Sequence, residues 1–302
     1  DGTLLSCYPK EKYNRVGIDP VAKKYLDLYD NDIKVVTDFF NIDNYLSVAS
    51  QKAKIVTSIS MFYDLEEPVK FAQEVASILD VKGVWVFEQS YLPAMLRQNS
   101  YDTICHEHLE YYSLNAIEYI MKQAGLTIID ASQNEVNGGS IRLAAVRLDS
   151  PSSSNVSPEA ISLMEQEKNH NIHSIATFRS FQENAERQKT DLIKLLHELK
   201  KAGKTVVGYG ASTKGNVILQ YCGISTDLLS CIGDITPFKD GTYTPGTKIP
   251  IVSMEKAKAM KPDYFLVLPW GFRSDILLRE KGDALNQGIK MIFPLPFVEI
   301  VS

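Results

Sequence analysis

Twice along the chain, short apolar runs ending in small or acidic residues alternate with helical stretches, and this alternation constrains the fold more than any other feature. "RVGID" (Arg15–Asp19), "KVVTD" (Lys34–Asp38), "KIVTSIS" (Lys54–Ser60) and "VWVFEQ" (Val84–Gln89) read as four strands. Between the last two, Val69, Ala72, Val75, Ala76 and Leu79 recur at helical spacing. Strand-helix alternation implies a parallel sheet covered by helices on both faces. A helix around Asn115–Ala124 ends at Gly125, and "LTIIDASQ" and "SIRLAAVRL" follow, joined only by "NEVNGG". So short a link predicts an antiparallel pair at the sheet edge.

The polar stretch "SPSSSNVSP" then separates this region from a helical one. Ser157 is placed to cap free N–H groups, and Pro158 fits the first helical position. Helix is expected from there to Gly203 with one break near Asn169–Ser174, and Phe178, Phe181, Ala185, Leu192, Leu196 and Leu199 form its apolar stripe. The alternation then resumes: "KTVVGYGASTKGNVILQYCG" is strand, glycine turn and helix. "LLSCIGDI", "IPIVS", "DYFLVLPWG" and "KMIFPLP" add strands, with helices at Met254–Met260 and Ser274–Gln287. The reading is α/β throughout: residues 1–150, a helical connector over 151–202, and a second doubly wound α/β unit over 203–302.

Composition narrows the function classes. The 302 residues are 44% hydrophobic and 23% charged with a net charge of −5, which suits a globular chain and makes nucleic acid and anionic membrane poor partners. Cys7, Cys105, Cys222 and Cys231 are scattered, with no Cys-x-x-Cys pair, so neither a zinc ribbon nor a disulfide framework is expected. A reduced, cytoplasmic setting follows as the expectation; oligomeric state is left open.

In an open parallel sheet, ligands sit beyond the carboxyl ends of the strands. Asp19 and Asp38 close successive strands there. Asp19, 17 residues after Gly2, suits a ribose diol; Asp38 suits the exocyclic amine of an adenine, with Phe39 flanking the ring. The alternative is that both are strand-end carboxylates in solvated turns. Asp1, Gly2 and Ser58 complete the expected cofactor set. A sheet beginning at its second strand is expected to need a strand upstream of Asp1.

"YDTICHEHLEYYSL" concentrates chemistry in a few residues: His106, Glu107, His108 and Tyr112. Histidines two apart are able to ligate zinc, but no third ligand is nearby and the spacing is not His-Glu-x-x-His, so no metal is expected. Capping of the following helix is the structural alternative. If Cys105–Leu109 is extended, His106 and His108 share a face and Glu107 looks away. Glu107 and His108 reach one ligand together only if the loop turns between them.

Three separated motifs carry a resemblance over essentially the whole chain. "DGTLL…GIDP…DFF" resembles the cofactor half of a class I S-adenosylmethionine-dependent methyltransferase. "YDTICHEHLEYYSL" with "NGGSIRL" resembles the sugar C-methyltransferases that act on nucleotide-linked 4-keto-deoxysugars. "GYGASTKGNVILQYCGI" and "DITPFKDGTYTPGTKIPI" resemble that family's C-terminal Rossmann-like domain. The resemblance implies a class I methyltransferase domain, a helical linker and a second Rossmann-like domain, with S-adenosylmethionine as cofactor and a nucleotide-linked sugar as substrate. It also implies a small N-terminal zinc domain that this sequence does not contain, so zinc is expected only with such a domain. By motif, His108 and Glu107 become the acid-base pair, and His108 is taken as the base. Two residues depart from the family pattern: Cys105, where Tyr is frequent, and Asn137, where His is usual.

A sugar carbon beside a ketone becomes a nucleophile once a base removes its α-proton, and the enolate oxygen then needs a preplaced donor. In the third region, Tyr209, Ser212 and Lys214 are expected to hold the substrate's diphosphate at a helix N-terminus, a purely structural turn being the alternative. The turn has Thr213 in place of a third glycine, while Asp234, 24 residues after Gly210, would suit an NAD ribose. Asn137 and Arg142 are candidate substrate contacts, unless Gly138-Gly139 merely makes a hairpin turn. An O-methyltransferase, a non-catalytic nucleotide-sugar binder and an NAD-dependent oxidoreductase are the rival readings.

Overall fold

Residues 2–302 are described in a computed structural model; Asp1, one of the expected cofactor residues, lies outside the described residues. The strands are β1 (Val16–Ile18), β2 (Lys34–Val36), β3 (Ala53–Ile59), β4 (Leu79–Ser90), β5 (Leu126–Asn134) and β6 (Ser140–Arg147), then β7 (Val206–Tyr209), β8 (Ile232–Asp234), β9 (Ile251–Ser253), β10 (Tyr264–Val267), β11 (Lys290–Phe293) and β12 (Glu299–Val301). The chain forms two compact units that do not follow chain order. The first is Asp1–Gln89, Leu114–Ser132 and Arg142–Glu165; the second is Ser90–Ser113, Gln133–Ile141 and Gln166–Ser302. Two excursions, Ser90–Ser113 and Gln133–Ile141, group with the C-terminal residues.

In the first unit the four expected strands divide between two sheets. β1 and β2 pair in parallel, with Ile18 opposite Val36. β3 opens a four-stranded sheet in the order β3-β4-β6-β5, parallel to β4 with Thr57 opposite Val86. Of the expected edge pair only β5 lies at the edge, since β6 sits between it and β4. Alternate residues of β4 face the core: Trp85 and Phe87 are fully buried, stack at 4.3 Å and pack against Phe62. The helix Pro68–Ile78 buries Ala72 and Val75 of the expected stripe together with Ile78, while Leu79, expected to end that stripe, opens β4.

The helix caps are where the residue types place them. Ser157 Oγ accepts from the Ala160 N–H at 3.1 Å ahead of the helix Pro158–Asn169. Ser174 Oγ accepts from the Thr177 N–H at 3.2 Å and opens the helix Ile175–Lys201. Along that helix Ala185, Leu192, Leu196 and Leu199 join the core of the second unit. The helix expected over Ser274–Gln287 runs only over Arg273–Glu280, after which the chain makes turns around Gly282.

The second unit holds a six-stranded sheet in the order β12-β11-β10-β7-β8-β9. It is parallel except for β12, which runs antiparallel to β11 and was not expected from sequence. All four residues of β7 are buried, as befits a central strand covered on both faces. From β7 the chain winds outward through β8 and β9, then crosses back to β10 on the other side. The winding direction therefore reverses between β7 and β10, and in open α/β sheets ligands bind outside the carboxyl ends of the strands at such a reversal.

Among the described residues no helix is long and apolar enough to cross a membrane.

Candidate functional site

The residues following β7 and β10 meet on a cavity of about 260 Å³ in the second unit. β7 runs into Gly210, whose φ of +80° only glycine adopts readily, and a Cβ there would lie 2.8 Å from the Pro269 ring. The close pass brings Ser212–Lys214 beside Leu268–Phe272. Ser212 caps the helix Thr213–Cys222, its Oγ accepting from the Gly215 N–H at 3.0 Å. Lys214 Nζ donates to the Asn137 carbonyl at 2.6 Å. Gly139 completes the neighbouring turn with φ +108°; a Cβ there would lie 2.5 Å from Ala94 Cβ. Gly139 is thus required by packing and Gly138 by its φ of +89°, while Asn137 lines the cavity.

The remaining wall is the loop carrying the histidines. The buried Tyr101 anchors it: its hydroxyl donates to Gln188 Oε1 at 2.5 Å, and its ring lies 4.9 Å from that of Tyr221. With Tyr101 fixed in the core, Asp102 is buried as well, and its Oδ2 accepts from Trp270 Nε1 at 2.7 Å. The chain then turns, the His108 N–H bonding the Cys105 carbonyl at 3.2 Å. This turn answers the geometric question posed by the sequence. Glu107 and His108 both line the cavity, and His106 projects into solvent with its side chain 86% exposed and Nε2 4.0 Å from Glu107 Oε1.

Burial dominates the electrostatics. It raises the Asp102 carboxyl to about 6, against the pull of the Lys214 charge and the Trp270 hydrogen bond. It lowers Lys214, opposed by Asp102 and then Cys105. It also lowers His108, and the charge on Lys214 lowers it further. His108 is therefore neutral at pH 7 and able to accept a proton.

The other expected residues fall elsewhere. Tyr112 is buried away from the cavity wall, its hydroxyl shifted up by burial and Glu110. Tyr209 is also not on the wall: its buried hydroxyl donates to Glu280 Oε1 at 2.7 Å and accepts from Arg279 at 2.6 Å. The reason is the period of a strand: Tyr209 packs from β7 into the core, and the turn after it faces the ligand side. Arg142 is an exposed residue of β6 in the first unit. Asp234 accepts from the Ala211 N–H at 2.7 Å and the Thr236 N–H at 2.8 Å, with Lys239 Nζ 3.5 Å away. That carboxylate satisfies the amide of the turn that follows Gly210. Among the described residues no group of three His, Cys, Asp or Glu is placed to hold a metal ion.

Sequence reasoning missed Asp102 and Trp270. Trp270 carried a usable signal, since it follows a strand of the second sheet at its carboxyl end. Asp102 carried none, because only the anchoring of Tyr101 shows which way it points.

In the first unit, Asp19 follows β1 and Asp38 lies two residues beyond β2, at the same end of two paired parallel strands. Each uses one oxygen locally, Asp19 for the Val21 N–H and Asp38 for the Phe39 N–H, both at 2.7 Å. Phe39 is 72% exposed, and Gly2 has φ +74° against the Tyr29 ring. Two exposed carboxylates and an open aromatic face fit the diol, the amine and the base of a nucleoside. Ser58 is turned otherwise, accepting from Trp85 Nε1 at 3.0 Å.

Two known families match successive parts of the chain. Residues 135–296 match the family described as "C-methyltransferase C-terminal domain", and residues 1–131 match "Methyltransferase domain". C-methyltransferase NovU from Streptomyces niveus is 30% identical over 303 residues, covering 100% of this chain and 71% of that protein. Among solved structures, LepI in complex with SAM is similar at TM-score 0.39 and 16% identity, over 48% of this chain and 39% of that one. An S-adenosylmethionine-dependent methyltransferase from Clostridium acetobutylicum ATCC 824 is similar at TM-score 0.33 and 14% identity, over 45% of this chain and 75% of that one.

Proposed function

We propose a reaction for this chain, which belongs to the C-methyltransferase family: methylation of a carbon beside the ketone of a nucleotide-linked keto-deoxysugar, through an enolate. The chain is an S-adenosylmethionine-dependent methyltransferase. When bound, S-adenosylmethionine supplies an electrophilic methyl group on a sulfonium. Asp19, Asp38, Phe39 and Gly2 are the residues to hold its nucleoside.

One observation carries the reading of the substrate: a neutral imidazole and an ammonium at a helix N-terminus line the same cavity. His108 removes the α-proton, and Glu107, on the same wall, binds a sugar hydroxyl or steadies the imidazolium that forms. Lys214 keeps two N–H donors beyond the one bonded to Asn137. Those donors, with the Ser212 hydroxyl, meet the diphosphate at the start of the helix Thr213–Cys222. Enolate formation precedes methyl transfer, so the enzyme without methyl donor should exchange the α-hydrogen of its sugar substrate with solvent deuterium, read by mass spectrometry. A chemistry that deprotonates only a hydroxyl leaves that carbon unlabelled.

The cofactor assignment has its own check. Asp19→Ala removes the ribose acceptor and is expected to weaken S-adenosylmethionine binding about tenfold to a hundredfold, the worth of one or two charge-assisted hydrogen bonds. Calorimetry measures it, with circular dichroism confirming a retained fold. Unchanged affinity would place the nucleoside somewhere other than the carboxyl end of β1.

A further inference from the structure

Asp102 has no direct part in the chemistry described so far, yet it is the most deeply buried acid on the cavity wall. Its Oδ2 is bonded to Trp270, while its Oδ1 makes no well-formed hydrogen bond and the backbone amides of Asp102 and Thr103 give the carboxylate only weak further support. The short turn carrying it, Tyr101–Thr103, packs against the helix that carries Lys214. Lys214 itself is fixed by its bond to the Asn137 carbonyl. A carboxylate held by one side-chain donor and weak backbone contacts is costly in a core unless a cation lies nearby. Trp270 supplies a neutral donor, and Lys214 is the cation on that wall.

We propose that Asp102 is a positioning residue, the counter-ion that keeps Lys214 an ammonium within the desolvated cavity and so able to hold the anionic part of the substrate. It rests on Lys214 being the group that meets that anion. Burial drives Lys214 toward its neutral amine, and Asp102 is the largest influence in the opposite direction. The other titratable groups facing Lys214 are Cys105, Glu107 and His108, all from the same loop. The turn with Asn137 and the segment after β10 add none on the wall. Of these groups Asp102 alone is fully buried, so solvent screens it least.

The test follows Lys214 directly in the full chain. With ¹³C-lysine labelling, and the Lys214 resonance identified by its loss in Lys214→Arg, Asp102→Asn is expected to lower the Lys214 titration midpoint by at least about one pH unit, a tenfold change in proton affinity. Other lysines should stay in place, and Asp102→Glu should restore the midpoint to within about half a unit. A purely structural Asp102 would leave the midpoint where it is, and that result overturns the proposal. Wild-type protein provides a second reading that needs no Asp102 variant. As Asp102 takes its proton near pH 6, the Lys214 resonance should show an inflection that persists in His108→Gln; its absence also overturns the proposal. Calorimetry with inorganic pyrophosphate at pH 7 and pH 9 then separates the two claims. If wild type binds no pyrophosphate, the anion role of Lys214 fails, while the resonance still decides whether Asp102 sets its charge.

Discussion

His108→Ala should lower kcat by roughly two to four orders of magnitude, the worth of a positioned general base. Affinity for S-adenosylmethionine should be unchanged, because the residues proposed to hold it belong to the first unit. The size of the effect follows from the state of the imidazole. Half-buried and close to the Lys214 charge, it is held below the usual histidine value and so is unprotonated at pH 7. The same shift fixes the pH dependence. A base whose pKa is depressed stays active as pH falls to the ordinary value of about 6.5 and is lost only below it. The acid limb of kcat/KM should therefore lie below pH 6.5 and disappear in the variant. Turnover within threefold of wild type would mean that another group takes the proton. His106→Ala, changing a side chain that stands in solvent, serves as the internal control and should leave turnover nearly intact.

Trp270→Phe is the second large effect, and it appears in stability. The exchange keeps most of the ring but removes the donor to a fully buried carboxylate. Leaving such a group without that bond costs about 2–4 kcal/mol while it is ionised. The sign with pH follows from Asp102. Its folded value of about 6 lies above the unfolded value of about 3.9, so the native state binds the proton more tightly. Native stability therefore falls as pH rises from about 4 to about 6. Loss of the Trp270 donor raises the folded value further and extends that fall to higher pH. Urea unfolding should thus show a larger loss for Trp270→Phe at pH 8 than at pH 5, where only a packing loss of about 1 kcal/mol remains. Equal losses at both pH values would show that Asp102 is not charged in the folded protein.

Much of this was readable one segment at a time. The strands at Arg15–Asp19, Lys34–Asp38 and Lys54–Ser60, the cap at Ser157 and the break before Ser174 all follow from residue types within a few positions of one another. Other features were not. Tyr209 reads as a ligand residue because it precedes a glycine turn, yet the alternation of a buried strand turns it toward Glu280. The His-Glu-His segment reads equally as extended or turned, and the bond from His108 back to Cys105 decides between them. A turn of that kind has no strong residue signature when Gly, Pro and Asn are absent from it.

Taken alone, the sequence determined the class of architecture, two strand-helix series with helices between, because apolar periodicity and capping act between near neighbours. It also placed Asp19 and Asp38 at strand ends, and it put Lys214 at the start of a helix. Only the tertiary structure decided the strand order that puts the reversal between β7 and β10, and with it the meeting of Asp102 and Trp270 across 168 positions of chain. Strand pairing depends on which faces bury together. The ionisation of a carboxyl depends on what surrounds it, and neither is a property of the local residues.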